Sequence, residues 1–189
     1  MNKEFDYIVI GAGIAGCCLA YFLSKYSKSI LLIDRNSQVA FGASGAAGAF
    51  LSPLLGKPND FKDLVTKSLI FSTNFYKNLG EELVSNCGVC RIPKNEEDRD
   101  KFESYKPYMD FKYTQMDDGY FFEIGSQVTP SLICEKLTKD IEKKLLYNVI
   151  KLERNENSTW IINDEIYAKN IVLTTGADVK HIKEDYFDI

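Results

Sequence analysis

The chain has 189 residues, 45% of them hydrophobic and 26% charged, and a formal net charge of −4. That composition carries enough apolar and aromatic surface for a sizeable core, which excludes a disordered chain. It also excludes a polybasic surface gripping nucleic acid by phosphate neutralisation alone, and no apolar run reaches the roughly 20 residues of a membrane helix.

Residues 1–6 lack the basic start and apolar stretch of a secretory signal. Residues 5–10 are β-branched and aromatic and predict a buried parallel strand. Gly11-Ala12-Gly13-Ile14-Ala15-Gly16 follows at once, then an apolar helix over 17–26. Residues 29–33 predict a second buried strand that ends on Asp34. A second glycine cluster over 42–48 predicts a loop around a short helix. Residues 60–79 predict an amphipathic helix with Leu64, Phe71, Phe75 and Leu79 on one face and Gly80 as its stop.

Residues 81–125 mix short apolar runs with charges and aromatics, as an inserted, strand-containing region would. Pro130 opens a helix expected to run to about Lys144. Residues 147–153 and 158–163 predict a hairpin turning at Asn155-Glu156-Asn157. Residues 170–174 predict a last buried strand, closing on Thr175-Gly176-Ala177.

In this context the glycine pattern carries chemistry. Gly11 permits the tight turn out of the strand, Gly13 lets a pyrophosphate approach the backbone, and Gly16 lets the helix pack on the sheet. The unpaired N–H groups and the dipole at that helix start attract phosphate. Asp34 stands where an acid accepts hydrogen bonds from a ribose and repels a 2′-phosphate. The second glycine cluster and the late strand favour FAD over NAD, because an NAD domain would continue strand, helix, strand after Asp34.

These residues resemble the D-amino-acid oxidase, glycine oxidase and sarcosine oxidase family of FAD enzymes. The matching pieces are the 11–16 glycine motif, Ile33-Asp34-Arg35, Gly42-Ala43-Ser44-Gly45 and Thr174-Thr175-Gly176-Ala177. Gly-Ala-Ser-Gly leading into Pro53-Leu54-Leu55, an aromatic helix and Cys87-Gly88-Val89 look most like the oxidoreductase domain of MnmC-type bacterial tRNA-modifying proteins. The fold this implies is α/β: a Rossmann-like FAD-binding domain of parallel sheet and helices, with part of an inserted α+β substrate domain. The expected division is 1–80 for the first part of the FAD domain, 81–128 for the insert and 129–189 for the return.

By the same resemblance, Gly11, Gly13, Ile14, Ala15 and Gly16 would meet the pyrophosphate and Asp34 the ribose. Arg35 would lie near the adenine, Ala43, Ser44 and Gly45 would line the phosphates and flavin, and Val149 would present backbone to the adenine. Thr175 and Gly176 would close over the cofactor. FAD is expected to be non-covalent, because no His or Cys occurs between Gly42 and Pro53.

The implied reaction is oxidation of a secondary amine. The substrate implied is the carboxymethylaminomethyl group of a tRNA wobble uridine, whose product a separate methyltransferase would take up. A small amine or amino-acid oxidase acting on glycine, sarcosine or a D-amino acid is the alternative, as is a catalytically incomplete FAD-binding fragment. The family is usually near twice this length, so a truncated chain without turnover of its own is expected. No catalytic residue and no metal site are assigned.

The remaining residues receive structural readings. The five cysteines, Cys87-x-x-Cys90 included, are expected to be buried reduced thiols in a reducing cytoplasm. His181 and Trp160 are read as bystanders, and residues 95–101 as a solvated helix start. The aromatics from Tyr105 to Phe122 are read as core rather than a base-stacking platform. Arg91 and Glu123 are noted as candidates for a substrate site.

Overall fold

The structure is a computed structural model and describes residues 3–181. In chain order its elements begin with β1 (Glu4–Ile10), α1 (Ile14–Leu23), β2 (Ile30–Ile33) and α2 (Ala43–Ala46). They continue with β3 (Phe50–Leu51), α3 (Asp60–Leu79), β4 (Val84–Ser85), β5 (Val89–Arg91) and α4 (Glu96–Tyr105). Next come β6 (Thr114–Met116), β7 (Gly119–Phe122), β8 (Ser126–Val128) and α5 (Pro130–Leu137). The last are β9 (Glu142–Lys144), β10 (Leu152–Arg154), β11 (Trp160–Ile162) and β12 (Ile166–Leu173).

The segments up to Ala47 and from Pro130 onward pack as one compact unit, and Gly48–Thr129 as another. Packing therefore assigns α3 to the second unit, whereas the chain pattern would have kept it with the first. The first unit is built on a six-stranded sheet in the order β10-β11-β12-β1-β2-β9. Its inner pairs β12-β1, β1-β2 and β2-β9 are parallel, and the outer hairpins β10-β11 and β11-β12 are antiparallel. All four residues of β2 are buried, the continuous apolar run expected of a strand covered on both faces.

One core cluster gathers Phe5, Ile8, Ile10, Leu31 and Ile33 with Leu152, Ile162 and Ile166; Trp160 packs against it, a structural role. Helices α1 and α5 pack together, with Cys17 and Ala20 of one and Ile133, Cys134 and Leu137 of the other fully or nearly buried. A hydrogen bond to Cys134, together with burial, raises the Cys17 thiol well above its usual range, so Cys17 stays protonated.

Two expectations about α5 and its sequel fail together. The helix ends at Leu137, and Glu142–Lys144 form the parallel edge strand β9 beside β2. The polar run Glu142-Lys143-Lys144 has no strand signature of its own. Cross-strand bonding to the exposed edge of β2 makes it one, and that is a tertiary effect.

The second unit holds two three-stranded sheets, β3-β8-β4 and β5-β7-β6. Phe102, Tyr120 and Phe122 form its core, with Phe111 and Tyr113 packed against them. The core role anticipated for the 105–122 aromatics holds for Phe111, Tyr113, Tyr120 and Phe122, whereas Tyr108 is exposed. Asn95 caps α4 by accepting the Asp98 N–H at 2.9 Å, which makes the charge run a solvated helix start.

Helix α3 spans the predicted residues, and the Asn59 side chain caps it by accepting the Lys62 N–H at 3.0 Å. Its buried face, however, is Lys62, Leu69, Thr73 and Tyr76, while Leu64 and Phe71 are 60% and 58% exposed. Apolar residues lie on several sides of this helix, so periodicity could not select the inward one. Buried Lys62 is accommodated by Asp110 at 3.2 Å and the Tyr108 carbonyl.

Candidate functional site

A cavity of about 680 Å³ opens in the first unit, at the carboxyl ends of the parallel strands. Register brings those ends level: Ile10 pairs with Ile33 on one side and with Leu173 on the other. The residues immediately after each strand, Gly11, Asp34 and Thr174, therefore converge on one crevice, where ligands of open α/β sheets bind.

The glycine turn is fixed by its neighbours. Gly11 adopts φ +108°, and a Cβ there would sit 2.5 Å from the Thr174 carbonyl oxygen. Its N–H donates to the Ile33 carbonyl at 2.8 Å, and the Thr174 hydroxyl donates to the Gly11 carbonyl at 2.8 Å. A Cβ on Gly16 would lie 1.9 Å from the Gly11 carbonyl oxygen, so this glycine lets α1 close onto β1. Gly45 is likewise a packing glycine, its Cβ position being 2.1 Å from the Ala40 carbonyl oxygen.

The start of α1 faces the cavity, and its first-turn N–H groups have no intrahelical acceptors. The Ser44 hydroxyl accepts the Ile14 N–H at 3.0 Å, tying the second glycine cluster to the first. A Cβ on Gly13 would come within 3.1 Å of that hydroxyl, so the absence of a side chain keeps this cradle open.

Opposite stands Asp34. One carboxylate oxygen accepts the Ala12 N–H at 2.6 Å, and the other accepts the backbone and side-chain N–H groups of Asn36 at 2.8 and 2.9 Å. Beyond β9 the chain is laced to the same place: Leu146 N–H donates to the Asn36 carbonyl at 2.9 Å and Tyr147 N–H to that of Asp34 at 3.0 Å. Leu146 adopts φ +55°, an uncommon conformation for a leucine that costs about 1 kcal/mol. It turns Tyr147, Asn148, Val149 and Ile150 along the cavity wall. Burial pushes the Tyr147 phenol up to about 12.

Of the residues singled out in the sequence, Gly11, Gly13, Asp34, Arg35, Ala43, Ser44, Val149, Thr175 and Gly176 lie on this wall. Ile14, Ala15, Gly16 and Gly45 do not; Ile14 donates to Ser44, and Gly16 and Gly45 are packing glycines. Asn36, Phe41, Tyr147 and Ile150 join the wall without having been foreseen. Residues 147–153 were expected to form a hairpin strand, but β10 covers only Leu152–Arg154, and the apolar residues before it line the cavity instead.

The fit to an adenine dinucleotide is chemical. Donors at a helix start stand opposite a ribose-ready carboxylate, with a half-apolar strap beyond, and the buried Thr175 hydroxyl at the wall has no hydrogen-bond partner. No Cys or His occurs among the lining residues. Among the described residues no cluster of three metal-ligating side chains occurs, and no helix is long and apolar enough to cross a membrane.

Other candidates belong to the second unit. Arg91 donates to the Ser52 hydroxyl at 3.1 Å and the Pro53 carbonyl at 3.2 Å, and Glu123 is exposed. Cys87 and Cys90 are exposed, not buried as expected, because Cys90 lies on edge strand β5. No hydrogen-bonded turn joins the two thiols. The His181 side chain falls outside the described residues.

Residues 6–187 match the family described as FAD dependent oxidoreductase, DAO. The chain is 27% identical over 188 residues to the tRNA 5-methylaminomethyl-2-thiouridine biosynthesis bifunctional protein MnmC of Campylobacter jejuni serotype O:2, covering 94% of this chain and 30% of that protein. It is 24% identical over 208 residues to Bacillus subtilis glycine oxidase, covering 93% of this chain and 55% of the relative. Among solved structures, glycine oxidase from Geobacillus kaustophilus superposes with TM-score 0.78 at 14% identity, over 93% of this chain and 56% of that one. FAD-bound L-alpha-glycerophosphate oxidase from Mycoplasma pneumoniae gives 0.75 at 18% identity, over 95% and 56%. The chain thus spans under a third of the MnmC relative and little over half of the oxidases.

Proposed function

The chain belongs to the DAO family of FAD-dependent oxidoreductases, and we propose that within it this protein holds FAD non-covalently in the first-unit cavity and serves the oxidation of a secondary amine. The observation that carries the cofactor reading is the convergence of the Gly11–Gly13 turn, the Asp34 carboxylate and the Val149 strap on one crevice. The α1 start would hold the pyrophosphate, Asp34 the ribose and residues 147–150 the adenine, while Thr175 and Gly176 close the wall. The lack of Cys and His in the lining supports non-covalent attachment.

Held by the α1 start, Asp34 and residues 147–150, FAD would supply the two-electron acceptor for oxidation of a secondary amine to an imine, which water then hydrolyses. What this chain contributes is binding and orientation. Substrate class is read as a modified wobble uridine of tRNA, supported by the MnmC relatives, whose name places them in 5-methylaminomethyl-2-thiouridine biosynthesis. The residues from Lys57 to Lys112 hold ten basic and ten acidic side chains, so no cationic stripe adds to that reading. This balance, with the likeness to glycine oxidase, favours a small amine as the second reading.

The test is the visible spectrum of the purified protein, before and after acid precipitation. A flavin band that acid releases into the supernatant is expected. Protein that stays colourless with added FAD would overturn the cofactor reading, and colour retained in the pellet would overturn non-covalent attachment. Loss of the carboxymethyl unit from modified tRNA, with no turnover of free glycine or sarcosine, then separates the two substrate readings.

A further inference from the structure

Asn163 and Asp164 are the two central residues of a turn within the three-residue connection from β11 to β12, with φ +48° and +61° and the Glu165 N–H donating to the Ile162 carbonyl at 3.1 Å. Both residues sit in the left-handed region that such a hairpin turn requires and that Asn and Asp tolerate. The Asn163 side chain then reaches the 148–151 segment. Its amide nitrogen donates to the Asn148 carbonyl at 2.8 Å, and its oxygen accepts the N–H groups of Ile150 and Lys151, both at 3.0 Å. Its backbone N–H donates to the Lys151 carbonyl at 3.0 Å. One carbonyl and two N–H partners fix the amide in a single orientation.

The consequence follows from peptide planarity. In a trans peptide the C=O and N–H point in opposite directions, and the described chain has no cis bond. The Asn148 carbonyl points at Asn163, so the Val149 N–H in the same peptide points away. The Ile150 N–H points at Asn163, so the Val149 carbonyl also points away. Val149 lines the cavity, Asn163 does not, and among the described residues neither Val149 backbone group has a hydrogen-bond partner.

We infer that Asn163 is a positioning residue that aims the paired donor and acceptor of Val149 into the cofactor cavity, and so makes the site selective for adenine. This rests on the cofactor reading above. Adenine offers an acceptor, N1, beside a donor, the N6 amine, which complements one residue's N–H and C=O. Hypoxanthine offers the reverse, a donor at N1 beside the O6 acceptor, and would face like groups.

The test uses ADP and IDP as probes on the whole chain, by calorimetric titration, alongside FAD. Wild-type protein is expected to prefer ADP by about tenfold or more, the scale of mismatched hydrogen bonds. Asn163→Gly keeps the left-handed backbone and removes the amide. It should bring the ADP-to-IDP ratio to about one and weaken FAD by about tenfold. Asn163→Asp keeps the acceptor for Ile150 and Lys151, loses the donor, and should fall between; if the glycine variant does not fold, its ratio decides. A merely structural role would weaken both nucleotides alike and leave the ratio intact. An unchanged ratio in the variants overturns the inference alone. Wild-type protein that binds neither ADP nor FAD overturns the cofactor reading and the inference with it.

Discussion

The Ala12 backbone N–H donates to the Asp34 carboxylate at 2.6 Å, joining the glycine turn after β1 to the end of β2. The acid expected to meet a ribose is therefore also a brace for the glycine turn. It accepts two further N–H groups from Asn36. Asp34→Ala leaves these part-buried donors unmatched and should lower stability by about 1–3 kcal/mol. FAD affinity should fall by at least about tenfold. Asp34→Asn, which keeps one acceptor oxygen, should lie between. Urea melts and flavin titrations on the three proteins check the order.

Two glycines predict opposite outcomes for the same substitution. A methyl group on Gly16 would meet the Gly11 carbonyl oxygen at 1.9 Å and the Thr174 hydroxyl at 2.6 Å, so Gly16→Ala should unfold the β1-α1 corner and abolish flavin binding. Gly42 has nothing within 4 Å of its Cβ position, so Gly42→Ala meets no clash and should keep the fold and flavin binding, at a backbone cost of about 1 kcal/mol for its φ −82° and ψ −140°. Equal effects of the two substitutions would contradict this packing.

The Lys62–Asp110 pair is asymmetric: the lysine side chain is 4% exposed and the aspartate 36%. Removing the carboxylate by Asp110→Ala leaves a buried ammonium with the Tyr108 carbonyl but no counter-charge and should cost about 1–3 kcal/mol. Lys62→Met keeps the packed stem and leaves an aspartate that water and the Thr66 hydroxyl can still serve, so it should cost less. Denaturant unfolding of both variants, followed by far-ultraviolet circular dichroism, reads the difference directly.

Alkaline pH should weaken the strap. The Tyr147 phenol is pushed up to about 12, chiefly by burial, from an ordinary value of 10.0. The folded chain then holds this proton longer than the unfolded chain. Its contribution is intact below pH 10 and is lost as pH rises through about 12. Tyr147→Phe should remove one late-titrating phenol from the absorbance at 295 nm and flatten the alkaline fall in melting temperature.

Thiol exposure gives a direct count. Cys87 and Cys90 are exposed, whereas Cys17 and Cys134 are buried. Native protein should show two fast thiols with a chromogenic disulfide, a slower one from half-buried Cys18, and Cys17 and Cys134 only in denaturant. Loss of the fast pair in the double variant Cys87→Ser/Cys90→Ser confirms the assignment.

Much of the first unit was legible residue by residue. Uninterrupted apolar runs, a glycine at a tight turn and an acid at a strand end are local signals, so β1, β2 and the 11–16 turn could be read in place. Helix α1 was read with its bounds set three residues late, because it starts within the glycine motif at Ile14 rather than after it. The 130–144 helix could not, because β9 is polar and owes its conformation to the edge of β2. Nor could the start of β12, which begins at Ile166 once Asn163 and Asp164 turn the chain. That Asn-Asp pair was the available cue for a tight turn.

By itself the sequence determined where backbone must bend or stay bare: Gly11 and Gly16 leave no room for a Cβ, and the buried strands declare themselves by composition. Only the tertiary structure decided which side of α3 faces inward and which residues join the cavity from a distance. It also decided that Asn163, outside the wall, sets the direction of the Val149 peptide groups. The reason is physical: local propensity depends on neighbours in sequence, whereas a cavity wall and a buried face depend on which hydrogen-bond and packing partners distant segments bring.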